Sequence, residues 1–193
     1  MTIQLGGPAP RVDVRAAHGF LAATASGVGA AAMVVDRDDS RFLAVWEPLR
    51  AEPTPSLRSQ LALALHRFSP AEVVAWGRDD GASVVVAEVR GDGEVQLVGW
   101  AAPSALHVST ERAGLTPLPV PTGDPVSVRM RPGELLVLCS PGLLVEPPAC
   151  LHADAAGLCP AGGPAAWEWA WRGLVRPLSE GAVAVVQSGS QSA

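Results

Sequence analysis

The chain of 193 residues contains no lysine, no tyrosine and no asparagine, so its 14 basic residues are all arginines. Without lysine there is neither a P-loop lysine for nucleotide phosphates nor a lysine that could form a Schiff base. Acidic residues number 19, which gives a formal net charge of −5 and a pI near 5.3. Because the chain has no excess of basic residues, no nucleic acid partner is expected.

Cysteines and long apolar runs are also scarce. The three cysteines, Cys139, Cys150 and Cys159, are too few, and odd in number, for a disulfide scaffold. The first ten residues lack the basic and apolar stretches of a signal peptide. The longest apolar run, 135–145, is interrupted by a Ser-Pro-Gly sequence, and a bilayer span needs about 20 residues. A cytoplasmic protein without membrane contact is therefore expected.

The chain does contain apolar segments of the kind that build a packed core. Hydrophobic residues make up 48% and charged residues 17%, which argues against global disorder. Short apolar runs bounded by Gly, Pro and Asp predict strands, and we expect one domain over 1–187 with a disordered tail over 188–193. The predicted strands are 12–24, 30–35, 41–46, 83–90, 94–100, 106–109, 125–130, 134–139 and 181–187.

Helical periodicity predicts two consecutive helices, over 55–68 and 70–76. Ser69 and Glu72 form a capping box at the start of the second helix, and Gly77 is expected to end it. The order of strands, helices and further antiparallel strands predicts an α+β fold, with helices covering the faces of antiparallel sheets. The apolar stripe of the first helix consists of Leu57, Leu61, Leu65 and Phe68.

Cysteine and histidine come close together in one segment. The segment 150–159 contains Cys150, His152 and Cys159, and Cys139 lies upstream of it. Zinc sites use these side chain types, usually as two tight pairs. Because the pairing is incomplete here, the pattern favours free thiols and a loop histidine over a zinc site.

Three tryptophans, Trp167, Trp169 and Trp171, lie in a predicted short helix over 165–174. Residues two apart on a helix point in directions roughly 200° apart, so the three cannot share one face. Core packing is one interpretation of this group. A partner-binding surface is the other, because tryptophan is enriched among the residues that dominate interface energies.

The second half of the chain follows the pattern of a known family. The segments are SVVVAEVRGDGEVQLVGWAAPSALHV (83–108), RPGELLVLCSPGL (131–143) and GAVAVVQ (181–187). The middle one matches the family sequence p-G-D-x-L-L-L-Y-T-D-G-L. With the predicted helices and a hairpin over 29–46, the chain resembles the bacterial SpoIIE-type serine phosphatases of the metal-dependent type 2C (PPM) superfamily. The resemblance implies an α-β-β-α sandwich of two antiparallel sheets flanked by helices.

The resemblance also implies where a metal centre would lie, and there the chain departs from the family. The family holds two divalent ions, Mg²⁺ or Mn²⁺, with aspartates, and one ion activates the attacking water. Of the equivalent residues here, only Glu47 and Glu180 have a side chain that could ligate a metal. No resident metal and no catalytic residue are therefore expected. The degenerate positions are Ala30, Glu47, Pro48, Ser140, Pro141, Gly142, Glu180 and Gly181.

The function expected from this departure is that of a pseudophosphatase, a phosphatase-like domain that acts by binding a protein. The related enzymes act in partner-switching systems of sigma-factor control, so a regulatory partner of the anti-sigma or anti-anti-sigma type is expected. Two alternatives stay open. One is an active Mn- or Mg-dependent serine/threonine phosphatase with relocated ligands, and the other is a structural or small-ligand-binding domain that uses 146–174. The candidate relocated ligands are Asp36, Glu47, Asp154 and Glu180.

Overall fold

Two antiparallel sheets form the framework of the protein in a computed structural model, which describes residues 11–17, 20–27, 29–49, 57–101, 104–108, 115–141 and 181–188. The six-stranded sheet has the order β1-β2-β11-β10-β7-β8. Its strands are β1 (Arg11–Ala17), β2 (Phe20–Ser26), β7 (Ser104–Val108), β8 (Leu115–Leu118), β10 (Leu135–Cys139) and β11 (Ala182–Ser188).

The second sheet has five strands in the order β3-β4-β5-β6-β9, and two helices pack on it. Its strands are β3 (Ala31–Arg37), β4 (Ser40–Pro48), β5 (Ala82–Arg90), β6 (Glu94–Trp100) and β9 (Val126–Arg129). The helices are α1 (Leu57–Arg67), which contacts β3, and α2 (Pro70–Asp79), which contacts β5 and β6. Neither of these described helices is long and apolar enough to cross a membrane. The predicted α+β sandwich of two antiparallel sheets is confirmed.

The main core lies between the two sheets. Side chains alternate between the two faces along a strand, so every second residue of the central strands enters this layer. These inward residues are small or β-branched and almost fully buried, and they come from both sheets. Members include Ala22, Leu136 and Ala184 from the six-stranded sheet, and Val34, Leu43, Val85 and Leu97 from the five-stranded sheet.

A second core lies between the five-stranded sheet and the helices. Trp46 of β4 is fully buried there and stacks on Trp76 of α2, with ring centroids 4.4 Å apart. Gly77 lets this helix approach the sheet, since a Cβ at this position would lie 2.7 Å from Cγ1 of Val84. The prediction that Gly77 ends the helix is therefore wrong, because this glycine serves close packing. The helix ends at Asp79, and Gly81 follows with a φ of 72°.

The first half of the chain departs from the prediction in its turns. The strand predicted over 12–24 is two strands, β1 and β2, which form a hairpin. The next hairpin, β3–β4, has a two-residue connection instead of the predicted five-residue turn. Asp38 makes this tight turn with a φ of 52°, a left-handed conformation that aspartate tolerates better than most residues.

The other departures lie at element ends. Phe68, predicted in the buried stripe, follows the end of α1 and is 48% exposed. Ser188, predicted in the tail, belongs to β11 and exchanges backbone hydrogen bonds with Gly133 and Glu134. The short edge strand β8 has no counterpart in the prediction, because its Thr-Pro-Leu sequence does not alternate. Residues 189–193 and the predicted helix over 165–174 lie outside the described residues.

The sandwich has two distinct ends. The β3–β4 and β5–β6 turns lie together at one end, where Gly91 approaches the carbonyl of Asp39, and we call this the turn end. Arg41, which forms an ion pair within the five-stranded sheet, also joins the two sheets there. Nε of Arg41 lies 2.7 Å from Oδ1 of Asp36, and its Nη1 donates to the carbonyl of Phe20 in the other sheet at 3.0 Å. The Arg41 side chain is fully buried, whereas that of Asp36 is 30% exposed.

This difference in exposure predicts unequal effects of breaking the pair. Asp36→Asn removes the Asp36 carboxylate that pairs with a fully buried guanidinium and is expected to cost about 3–5 kcal/mol. Arg41→Met leaves a carboxylate that water already reaches, so we expect a smaller loss, about 1–3 kcal/mol. Urea unfolding of both variants measures the difference. A larger loss for Arg41→Met would contradict the assignment of the buried charge to Arg41.

Gly93 gives a second stability prediction. Its φ is 85°, and a Cβ there would lie 2.5 Å from the carbonyl oxygen of Met130. Gly93→Ala therefore combines backbone strain with a clash and is expected to cost about 2–4 kcal/mol. Gly81→Ala is the matched control, because Gly81 has a similar φ of 72° but no atom within 4 Å of the added Cβ. If urea unfolding shows the same loss in free energy of unfolding for both variants, the contact between the added Cβ and the Met130 carbonyl has no effect on stability.

Candidate functional site

At the end opposite the turn end, the chain crosses from the six-stranded sheet to the five-stranded sheet between β2 and β3. β2 finishes at Ser26 and β3 begins at Ala31, so a short connection joins the two sheets. The N–H of Gly27 donates to the carbonyl of Gly181 at 2.8 Å, which fastens this connection to the start of β11. Strand ends of both sheets therefore meet here, and we call this region the junction end.

The described positions that the resemblance assigns to the metal centre all lie at the junction end. Ala30 directly precedes β3, Glu47 and Pro48 end β4, Ser140 and Pro141 follow β10, and Gly181 precedes β11. The structure thus brings together residues that are far apart in the sequence. The remaining predicted site residues lie outside the described residues: Gly142, Trp167, Trp169, Trp171 and Glu180.

Ser140 has a structural role at this end. Its N–H donates to the carbonyl of Ala182 at 3.0 Å, and its Oγ accepts the N–H of Ala182 at 2.9 Å. The residue is 1% exposed. His107 lies opposite Leu136 of β10, and its Nε2 is 3.0 Å from Oε2 of Glu134, so it is four residues, roughly 13 Å of strand, away from Ser140. Ser140 therefore continues the ladder between β10 and β11, and His107 is too far to activate it.

Glu47 is the carboxylate among the described residues assigned to the centre. Leu43 and Val45 belong to the inter-sheet core, so alternation along β4 directs Glu47 toward the same layer. Its side chain is partly buried. The residue opposite it on β5 is Ser83, which is 1% exposed. Sequence reasoning missed Ser83, because only the β4–β5 register places its hydroxyl beside Glu47.

The potential metal ligands among the described residues do not fit a two-metal centre. Mg²⁺ and Mn²⁺ require several hard oxygen ligands, and the described part of the chain contains no group of three or more His, Cys, Asp or Glu side chains placed to hold an ion. Asp36, a candidate relocated ligand, lies five residues along β3 from the junction end, roughly 17 Å, and is paired with Arg41. Asp36 is therefore excluded as a ligand of this centre. Asp154 and Glu180 lie outside the described residues.

Cys139 is unsuited to nucleophilic chemistry or zinc binding. It is fully buried at the end of β10, and desolvation by burial raises the pKa of its thiol to about 12. A thiol must lose its proton to act as a nucleophile or a metal ligand. The other members of the Cys/His pattern, Cys150, His152 and Cys159, lie outside the described residues.

Solved structures with a similar fold include PP2C phosphatase domains. RsbX in complex with magnesium superposes with a TM-score of 0.62 at 10% identity, over 93% of this chain and all of that chain. The PP2C phosphatase domain of SpoIIE from Bacillus subtilis, with a fragment of its regulatory domain, gives 0.61 at 11% identity, over 94% of this chain and 64% of that chain. The RsbU and RsbW domains of Rv1364c from Mycobacterium tuberculosis superpose with a TM-score of 0.60 at 17% identity, over 96% of this chain and 63% of that chain.

These superpositions show a shared fold, the type 2C phosphatase sandwich, while the sequence identities are only 10–17%. Neither a protein-family model nor a curated protein sequence matches the chain. The fold that the sequence resemblance implied is therefore confirmed through structure.

The raised pKa of Cys139 predicts an inert thiol. At pH 8 a thiol with a pKa of about 12 is ionised to about one part in 10⁴. In a Cys150→Ser/Cys159→Ser variant, whose one remaining thiol is Cys139, we expect no reaction with Ellman's reagent in the folded protein. Full reaction is expected after denaturation in urea, which serves as the control. Rapid reaction of the folded protein would show that Cys139 is accessible.

Proposed function

We propose that this protein is a phosphatase-like regulatory domain that acts by binding a protein partner and does not catalyse phosphate ester hydrolysis. One observation carries the proposal. At the junction end, the described positions assigned to the metal-binding aspartates hold Ala30, Pro141 and Gly181, which have no side-chain oxygen, and Glu47 is a single carboxylate. Two-metal chemistry depends on several carboxylates that fix both ions.

The preserved framework supports binding as the remaining role. Both sheets, the capped second helix and the inter-sheet core are intact, so the fold is maintained without the acidic residues of the centre. Next to Pro141, the hydroxyl of Ser140 accepts the N–H of Ala182 and so takes part in the sheet ladder. A stable fold with an altered centre can still present a surface to a partner, although fold alone does not define function.

The structural neighbours support a class of partner. They include the RsbU and RsbW domains of one Mycobacterium tuberculosis chain and a component of the bacterial stressosome. The second superposes with a TM-score of 0.62 at 15% identity, over 92% of this chain and all of that chain. By this analogy the partner is a regulatory protein of a partner-switching system, of the anti-sigma or anti-anti-sigma type.

A phosphatase assay tests the absence of catalysis. With Mn²⁺ and a phosphoserine peptide, we expect release of phosphate no faster than in a protein-free blank, because the described centre lacks the ligands for two ions. An active type 2C phosphatase in the same buffer is the positive control. Turnover that depends on Mn²⁺ and is lost in Glu47→Gln would overturn the proposal and support the alternative of relocated ligands.

A further inference from the structure

The strands at the four edges of the two sheets differ in how open they are to further pairing. Natural sheets protect their edges with short strands, proline, lysine or a covering segment. β8 and β9 are four residues long, and β8 contains Pro117, which has no backbone N–H to donate. Residues 31–35 of β3 are at most 8% exposed, so that edge is covered. Three of the four edges therefore have such protection.

The edge strand β1 lacks these protective features. Its seven residues, RVDVRAA, include no proline, glycine or lysine. All seven pair with β2 on one side, and no described strand pairs with the other side. The backbone N–H and C=O groups along such a side form a template for a further strand. β1 is therefore the edge at which the six-stranded sheet can be extended.

The order of charges along β1 indicates which strand fits there. Residues alternate between the two faces of a strand, so Arg11, Asp13 and Arg15 share one face of β1, and the apolar residues at 12, 14 and 16 share the other. Asp13 and Arg15 are the two neighbours of Val14. If a second copy of β1 pairs antiparallel with Val14 opposite Val14, then Asp13 of each copy lies opposite Arg15 of the other. The sequence of β1 is therefore complementary in charge to itself.

Other registers of two β1 strands are less favourable. In a symmetric pair that continues the sheet, like faces must meet, so the pair is centred on a residue. A centre at Asp13 or Arg15 places two like charges opposite each other, which is destabilising. A centre at Val12 or Ala16 leaves three residues of each β1 paired. The centre at Val14 uses the whole strand and allows about six to eight backbone hydrogen bonds.

We propose that the protein forms a symmetric dimer in which β1 pairs antiparallel with β1 of a second copy about Val14. This pairing joins two six-stranded sheets into one continuous sheet. The two contacts between Asp13 and Arg15 favour a second copy over an unrelated strand, because unlike charges directly opposite each other stabilise an antiparallel pair. The inference is independent of whether the protein hydrolyses phosphate esters.

Sedimentation equilibrium of the full chain tests the dimer. At high protein concentration we expect a mass near twice 19.8 kDa, which falls toward 19.8 kDa on dilution. Asp13→Arg and Arg15→Asp each replace both unlike-charge contacts with like-charge contacts, so each variant alone is expected to dimerise about tenfold more weakly or worse. Asp124→Arg is the control, because it makes the same change of charge at an exposed residue outside both sheets. It should dimerise as the parent protein does.

A mixture of the two charge variants tests the register. One variant carries arginine at both 13 and 15, and the other carries aspartate at both positions. Only the mixed pair therefore has unlike charges at both contacts. An equimolar mixture is expected to dimerise about as tightly as the parent protein, and this rescue also shows that both variants are folded.

Cysteine cross-linking locates the centre of the pair. In the Cys150→Ser/Cys159→Ser variant, Val14→Cys places two thiols opposite each other, with Cα atoms about 4.5–5.5 Å apart, which is within disulfide range. Mild oxidation should then give a covalent dimer on a non-reducing gel. Val12→Cys is the control, since the two copies of this residue are four residues, roughly 14 Å of strand, out of register.

Several results would overturn the proposal. A mass of 19.8 kDa at every concentration would show that there is no dimer. A dimer that persists in both charge variants, or no rescue on mixing them, would exclude the pairing of Asp13 with Arg15. Cross-linking through Val12→Cys in place of Val14→Cys would show another register or surface. The phosphatase assay tests the proposed function separately, so none of these results decides it.

Discussion

The packing of two antiparallel sheets against each other is the constraint on which the rest of the structure depends. Small and β-branched side chains from both sheets fill one layer, and this layer fixes which residue of each strand faces inward. The pairing register of neighbouring strands then determines which residues lie opposite each other at each end of the sandwich. At the turn end it pairs Asp36 with Arg41, and at the junction end it sets Glu47 opposite Ser83.

A fold held by this layer depends little on which side chains stand at the junction end. The strand ends at the junction are fastened by backbone hydrogen bonds, Gly27 to Gly181 and Ser140 to Ala182, which any residue with an N–H and a carbonyl can form. Side chains at these positions can therefore change without loss of the framework. This separation of fold from site explains how a type 2C sandwich can carry Ala30 and Pro141 at positions where the sequence resemblance implies carboxylates.

Patterns that depend on near neighbours were predictable from the sequence. The capping box of Ser69 and Glu72 is present with both of its hydrogen bonds, and the hairpin of β5 and β6 turns at 91–93 as predicted. Features that depend on contacts between residues far apart in the sequence could not be predicted in this way. Glycine at 77 is typical of a helix end, but here the close approach of Val84 from β5 leaves no room for a larger residue. Only the β4–β5 register shows that Ser83 lies opposite Glu47. The resemblance predicted the positions of the candidate site, whereas the β4–β5 register determines that Ser83 lies opposite Glu47.

Anomalous X-ray scattering from crystals soaked in Mn²⁺ tests the central claim most directly, because it shows whether ions occupy the junction end. The account predicts no anomalous peak within ligand distance of Glu47, at a Mn²⁺ concentration that fills the centre of an active type 2C phosphatase crystal. Two peaks about 3.5–4 Å apart at this end would be the signature of a two-metal site. They would contradict the account and identify the protein as a metal-dependent phosphatase.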